Sequence, residues 1–137
     1  MSGTMNITKR KSIYAEGFSH KNPIPAASQI GSMVFSGSIQ GTDPATGAYG
    51  STIEEQSRLM FDHVKRICHA AGLEPTDIIK MHVWMNDRSQ RAALNKEWLA
   101  LFPDPESRPA RHTMQASLDG GKLLECDFIA VKGGSHA

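Results

Sequence analysis

Apolar residues recur at helical spacing in two segments of this 137-residue chain and alternate with polar residues in most of the others. In the first helical segment, Met60 and Val64 lie four residues apart, as on the buried face of an α-helix. Thr52 and Glu55 form a capping-box pattern before the segment, and Gly72 is the residue type that ends helices. The pattern predicts a helix between Thr52 and Gly72.

A second amphipathic helix is predicted further along the chain. Leu94, Trp98 and Leu101 form one apolar stripe, and Asp87 precedes them as a side chain that caps helix N-termini. The Pro-Asp-Pro segment 103–105 ends the stripe, because proline cannot continue a helix.

Alternating segments predict strands. Met33, Phe35 and Ile39 are expected on one strand face, although Gly37 interrupts it, and a glycine inside a strand often marks a bulge. A short edge strand is predicted around residues 11–16.

A third strand is predicted over residues 78–85, where four apolar residues alternate. Its expected buried face carries Ile79, Met81, Val83 and Met85.

The end of the chain predicts two further strands, one opening at Pro109-Ala110-Arg111 and one running from Leu124. The turn residues Asp119-Gly120-Gly121 between them predict a β-hairpin. Such a pairing brings Arg111 and Glu125 to the same end of one small sheet.

The predicted order is β-β-α-β-α-β-β in a single domain over residues 1–137, without internal repeats. Two amphipathic helices suffice to cover one face of a sheet, which predicts a two-layer α+β fold. The last strand nevertheless has apolar residues in both rows, with Leu123, Ile129 and Val131 opposite the main row. A monomer leaves these residues in water, so we expect an oligomer.

Composition narrows the class of protein. With 39% hydrophobic and 21% charged residues, the chain resembles an ordinary soluble globular protein. Its 15 basic and 14 acidic residues give no basic footprint for nucleic acid or anionic membrane. We expect neither of these partners.

No apolar run approaches a membrane span, the N-terminus lacks a signal-peptide core, and two isolated cysteines fit a reducing compartment. A cytoplasmic location is expected.

Arg111 and Glu125 are the first candidates for chemistry. A guanidinium is a rigid fork of donors that suits a carboxylate ligand, and a nearby glutamate can hold a water or move a proton. The alternatives are a surface ion pair for Arg111 and a solvent-facing orientation for Glu125 beside Asp127. Arg108 is interpreted as a solvated loop charge. The histidines and cysteines show no metal-binding spacing, so no metal site is predicted.

Several motifs, taken in order, resemble the Rid family of reactive intermediate deaminases, also called the YjgF family. The resemblance extends from about Ser12 to Val131. It rests on Val34–Ile39, Asp43–Gly47, Glu55-Gln56, Ala70–Leu73, Asp77–Lys80, Asn95, Phe102, Pro109–Arg111 and Glu125 with Ile129-Ala130.

The resemblance implies a chorismate-mutase-like fold and a homotrimer whose three sheets line a central barrel, with sites between subunits. It also implies an enzyme that hydrolyses small imines or 2-imino acids to 2-keto acids and ammonia without a cofactor. In that reaction Arg111 binds the substrate carboxylate and Glu125 positions the attacking water.

By the same resemblance, the remaining substrate-binding residues are Ser36, Gly37, Thr113 and Asn95. Three features depart from the family pattern. The tyrosine expected before the first core strand is absent from residues 22–27, Thr113 replaces a common cysteine, and the loop between the last two strands is one residue shorter. Two other functions stay open: a non-catalytic protein that binds small carboxylates, and a ribonuclease or translation inhibitor.

Overall fold

The computed structural model describes residues 9–133, which form seven strands and two α-helices. The strands are β1 (Lys11–Ile13), β2 (Ala27–Ile30), β3 (Met33–Ser36), β4 (Ile39–Gln40), β5 (Ile78–Met85), β6 (Ala110–Gln115) and β7 (Leu124–Val131). The helices are α1 (Ile53–Ala71) and α2 (Arg91–Leu101), and short 3-10 helices cover Pro75–Asp77 and Arg88–Gln90.

Helix α1 begins and ends where the sequence predicts. The Thr52 hydroxyl accepts a hydrogen bond from the Glu55 backbone N–H at 3.0 Å, and Gly72 ends the helix with a φ of 71°. The Glu55 carboxylate accepts from the Ser51 N–H at 2.6 Å, one residue before the expected position. Both ends of α1 are therefore set by local interactions.

The strands form one mixed sheet in the order β1-β2-β3-β7-β5-β6, with β4 also paired to β7. β5 and β6 are parallel and are connected by α2, whereas the other pairs are antiparallel. A helical crossover is the usual connection between parallel strands. The predicted α+β architecture of two helices over a mixed sheet is confirmed.

The predicted hairpin between the last two strands is wrong. β5 lies between β6 and β7 and pairs with both, so β6 is an edge strand. The connecting loop crosses the end of β5, where the Asn86 side chain donates to the Lys122 carbonyl and accepts from the Leu118 N–H, both at 2.7 Å. Because β7 carries a fully apolar row, it gains more burial in the centre of the sheet than beside an edge strand.

One face of the sheet is covered by both helices. The apolar row of β7 and the buried row of β5 join α1 and α2 in a single core cluster. The buried Gln56 of α1 also fastens the loop before β7, donating to the Gly121 carbonyl at 3.0 Å and accepting from the Leu123 N–H at 2.9 Å. The helices thereby position the start of β7.

The other face carries no helix, and we call it the open face. Its apolar side chains cluster on one half of the sheet, where Ile30, Met33, Phe35 and Val131 are each between 43% and 51% exposed. The predicted uncovered apolar row is confirmed for Val131, whereas Ile129 is half-buried and Leu123 packs against the core. An exposed apolar cluster of this kind usually mediates association.

Two predicted strand faces are wrong in part. Ile39 is fully buried opposite Cys126, whereas Met33 and Phe35 lie on the open face, because the chain leaves β3 before entering β4. Ile79 is 58% exposed, and a register shift after Ile78 gives that residue the buried position instead. Irregularities of this kind change which side chains alternate together.

The strand over residues 27–30 has no counterpart in the prediction.

Within residues 9–133, neither helix combines the length and apolar character needed to cross a membrane.

Candidate functional site

Arg111 lies on the helix-covered face of the edge strand β6. It pairs with the buried Met81 of β5, and directly paired residues share a face. Its guanidinium carbon lies 4.9 Å from the centre of the Trp98 ring of α2, a stacking geometry that arginine favours. The tryptophan therefore holds the fork in one orientation.

The guanidinium of Arg111 has spare hydrogen-bonding capacity. Its Nη1 atom is buried and has no hydrogen-bond partner among the described residues. Burial lowers the pKa of Arg111, and the nearby charge of Arg91 lowers that pKa further. A desolvated donor without a partner costs free energy, which an anionic ligand relieves.

Two other candidate residues lie near Arg111. Thr113 is two residues further along β6, so its side chain is on the same face. Asn95 is half-buried in α2, three residues before Trp98, and neighbours it on the helix surface. We call Arg111, Thr113, Asn95 and Trp98 the arginine side.

Glu125 lies on the open face of the sheet. It pairs with Gln40 of β4 and Trp84 of β5. Its Oε1 atom accepts a hydrogen bond from Gln40 Nε2 at 3.3 Å and lies 3.7 Å from Lys122 Nζ. The carboxylate is thus held in place while its side chain keeps 19% exposure.

Ser36 and Gly37 lie where the chain passes from β3 to β4. The Ser36 hydroxyl accepts from the Phe128 N–H and donates to the Gly37 carbonyl, both at 2.8 Å. Because the hydroxyl makes both hydrogen bonds to backbone groups and none to a general base, Ser36 is not an activated nucleophile. A Cβ on Gly37 would lie 3.7 Å from His20 Nε2, a buried atom without a partner among the described residues.

A polar cavity of about 770 Å³ adjoins this region. Its lining includes His20, Ser38, Gln40, Tyr49 and Lys122. Because Gln40 and Lys122 also hold Glu125, we call Ser36, Gly37, Gln40 and Glu125 the glutamate side. The sequence prediction missed Gln40 and Lys122, although Lys122 lies only three residues before Glu125 and their opposite charges were visible.

The prediction that Arg111 and Glu125 meet within one chain is wrong. β5 separates their strands, and the two side chains point to opposite faces of the sheet. The described structure therefore brings Ser36, Gly37 and Glu125 together and, separately, Arg111, Thr113 and Asn95. Each group is a candidate partial site.

Arg108 is an exposed loop charge, as predicted, and it also makes two hydrogen bonds to the backbone. Its Nε donates to the Phe102 carbonyl at 2.8 Å and its Nη2 to the Pro103 carbonyl at 3.1 Å. Carbonyls at a helix C-terminus lack partners within the helix, so Arg108 caps the end of α2.

In the described part of the chain, neither thiol is activated and no cluster of metal-binding side chains is present. Burial raises the pKa of Cys68 to about 12 and raises the pKa of Cys126 as well, so both thiols stay protonated. Within residues 9–133, no three His, Cys, Asp or Glu side chains are grouped to hold a metal ion.

Known proteins share this sequence and fold. The family model for Endoribonuclease L-PSP matches residues 26–132. The 2-iminobutanoate/2-iminopropanoate deaminase of Salmonella typhimurium is 34% identical over 105 residues, which are 75% of this chain and 82% of that protein. A RutC family protein of Pyrococcus horikoshii is 32% identical over 112 residues, 80% of this chain and 87% of that protein.

The fold also matches solved structures. Escherichia coli TdcF with bound serine superposes with a TM-score of 0.82 and 32% identity, over 90% of this chain and 99% of that one. RidA from an Antarctic Psychrobacter gives a TM-score of 0.82 with 28% identity, over 88% of this chain and 98% of that one. The chain therefore belongs to the Endoribonuclease L-PSP family, the family of the YjgF/RidA reactive intermediate deaminases.

Proposed function

We propose that this protein hydrolyses 2-imino acids to 2-keto acids and ammonia, without a cofactor, at sites shared between the chains of a homotrimer. The observation that carries the proposal is the buried Arg111 Nη1, which has no hydrogen-bond partner within residues 9–133. The deaminase name of the Salmonella relative and the serine bound to TdcF support a small carboxylate-bearing substrate.

Arg111 binds the substrate carboxylate through its fork and so orients the adjacent imine carbon. Thr113 and Asn95 line the pocket on the same side as Arg111. The backbone of Ser36 and Gly37 lines it from the other side, next to Glu125.

Glu125 acts on water. As the water oxygen bonds to the imine carbon, the carboxylate accepts a proton from the water, the electrons of the C=N bond move to nitrogen, and Glu125 passes the same proton to that nitrogen. In the resulting carbinolamine, Glu125 takes the hydroxyl proton as the C–O bond becomes a carbonyl, and gives it to the nitrogen as the C–N bond breaks and ammonia leaves. Hydrogen bonding from Gln40 and the charge of Lys122 keep Glu125 oriented through both steps.

The proposed trimer joins the two partial sites. Because Arg111 and Glu125 point to opposite faces in one chain, a complete site needs the arginine side of one chain beside the glutamate side of the next. The exposed apolar residues of the open face provide surface for this association. We expect sedimentation equilibrium at micromolar concentration to give the mass of three chains, and a monomer mass contradicts the proposal.

The activity is tested by ammonia release from freshly generated 2-iminobutanoate, with the Glu125→Gln variant as a control for spontaneous hydrolysis. The protein is expected to accelerate release well above buffer and above this variant. Binding of 2-oxobutanoate without acceleration would identify a carboxylate-binding protein instead. RNA cleavage that is lost in Glu125→Gln would favour the activity in the family's name. A single domain over residues 1–137 and a cytoplasmic location stay predictions.

A further inference from the structure

A second arginine stands at the arginine side. Helix α2 begins at Arg91, four residues before Asn95 and seven before Trp98, so the three residues share one face of the helix. Trp98 contacts Arg111, and the charge of Arg91 acts on Arg111. Arg91 thus lies on the side of α2 that faces the proposed substrate carboxylate.

Neither guanidinium has an acidic partner in the described part of the chain. Among residues 9–133, no ion pair within 4.0 Å involves Arg91 or Arg111, whereas Arg58 of α1 pairs with Asp62 at 3.5 Å. The positive charges of Arg91 and Arg111 repel each other because no counterion among the described residues lies between them. The repulsion matters most at Arg111, which is partly desolvated. A ligand with two negative groups relieves the repulsion at both positions, and a ligand with one relieves it at only one.

We propose that the arginine side takes a ligand with two carboxylates, so that the preferred substrate is a dicarboxylic 2-imino acid. Arg111 binds the carboxylate next to the imine carbon, and Arg91 binds the distal carboxylate at the start of α2. The inference rests on the proposed function only in assigning the first carboxylate to Arg111. The flat Trp98 ring keeps the Arg111 fork in place, while the exposed Arg91 is free to adjust to the distal group.

The experiment compares two keto acids that resemble the products, by calorimetry near physiological salt. The probes are 2-oxoglutarate, with two carboxylates, and 2-oxobutanoate, with one. The variants are Arg91→Gln, which removes the charge, and Arg91→Lys, which keeps it. Lys96→Gln is the matched control, because Lys96 lies on the same helix but lines a separate cleft beside Glu54 and Arg58 of α1.

The unmodified protein is expected to bind 2-oxoglutarate ~10- to 100-fold more tightly than 2-oxobutanoate, the range for one hydrogen-bonded charge. Arg91→Gln should bring the ratio of the two affinities close to one, Arg91→Lys should keep part of it, and Lys96→Gln should keep all of it. Equal affinities in the unmodified protein, or a ratio that falls equally in Lys96→Gln, would overturn the inference.

Ammonia release from the imines of both keto acids separates this inference from the proposed function. Turnover without preference for the dicarboxylic imine leaves the function in place and overturns the inference. A dicarboxylate preference that depends on Arg91, without turnover of either imine, contradicts the function while supporting the ligand class. If neither keto acid binds and neither imine is hydrolysed faster than in buffer, both proposals fail.

Discussion

The arginine side and the glutamate side differ in how far the fold itself satisfies their charged groups. Arg111 stacks on Trp98 but leaves its buried Nη1 without a partner in the described chain. Glu125 already receives a hydrogen bond from Gln40 and lies near the charge of Lys122. A group with unmet capacity is suited to binding an external ion, whereas a group held by its neighbours is suited to acting on water from a fixed position. In the proposed function, the arginine side therefore binds the substrate and the glutamate side carries out the chemistry.

The largest effect is expected for turnover when the glutamate side is changed. Glu125→Gln keeps the shape of the side chain but removes the base, and loss of a general base costs ~10²- to 10⁴-fold in rate. The affinity for a 2-keto acid should fall much less, because Glu125 acts chiefly in the transition state. Single-turnover rates and calorimetry measure the two quantities.

Asp127→Asn is the control for that change, since Asp127 lies on the same face of β7 and pairs with His82 at 2.8 Å. Equal losses of rate and affinity in Glu125→Gln would make Glu125 a binding residue, and the two sides would then not differ in role.

A smaller effect, on affinity, is expected at the arginine side. Arg111→Ala should weaken 2-keto acid binding ~10- to 100-fold, because charged hydrogen bonds contribute about 1.5–3 kcal/mol each. Stability should change little, since the fork has an unmet donor in the free protein. Calorimetry and urea unfolding test the two statements.

Arg108→Ala is the matched arginine control and should show the reverse pattern. It removes hydrogen bonds to the carbonyls of Phe102 and Pro103, at a cost of about 1–2 kcal/mol in unfolding free energy. Binding should be retained. If both variants lose the same property, the binding role of Arg111 is wrong.

Mixing the Arg111→Ala and Glu125→Gln variants should restore part of the activity that each loses. If each site takes Arg111 from one chain and Glu125 from its neighbour, random assortment of Arg111→Ala and Glu125→Gln chains leaves roughly a quarter of the sites intact. Co-refolded mixtures should therefore recover roughly that fraction of the unmodified rate. Each variant refolded alone is the control. No recovery would mean that the two sides do not form one site between chains.

The smallest effect is a pH dependence of stability that comes from His20, which lines the cavity beside the glutamate side. Burial lowers the pKa of His20 below its ordinary value of 6.5, so the unfolded chain binds this proton first as pH falls. The stabilisation is complete above about pH 6.5 and is lost as pH falls towards the folded-state pKa. Arg111 stays protonated throughout this range and adds no such dependence.

Urea unfolding between pH 7.5 and 5 should show a smaller loss of stability in His20→Gln than in the unmodified protein. The pKa of the buried His63 is also lowered, mainly by burial, so part of the pH dependence of stability should remain in His20→Gln. Identical slopes in the two proteins would place His20 in an environment open to water.

Several local features were predictable because neighbouring residues decide them. Thr52 and Gly72 set the ends of α1 through contacts within a few residues, and the stripe through Leu94 and Trp98 gave α2. Strand faces were less predictable. A single irregularity after Ile78 was enough to move Ile79 from the core to solvent.

The sequence by itself determined which residues carry charge, where α1 begins and ends, and which motifs resemble the family, whereas Asp87, the predicted cap of α2, caps the short 3-10 helix before it. Only the tertiary structure decided that β5 lies between β6 and β7, which turns Arg111 and Glu125 to opposite faces. The physical reason is that caps and helical stripes depend on residues a few positions apart, whereas strand neighbours depend on burial summed over the whole sheet. A turn signal at Gly120-Gly121 describes the local backbone, and it cannot specify which strand the chain pairs with afterwards.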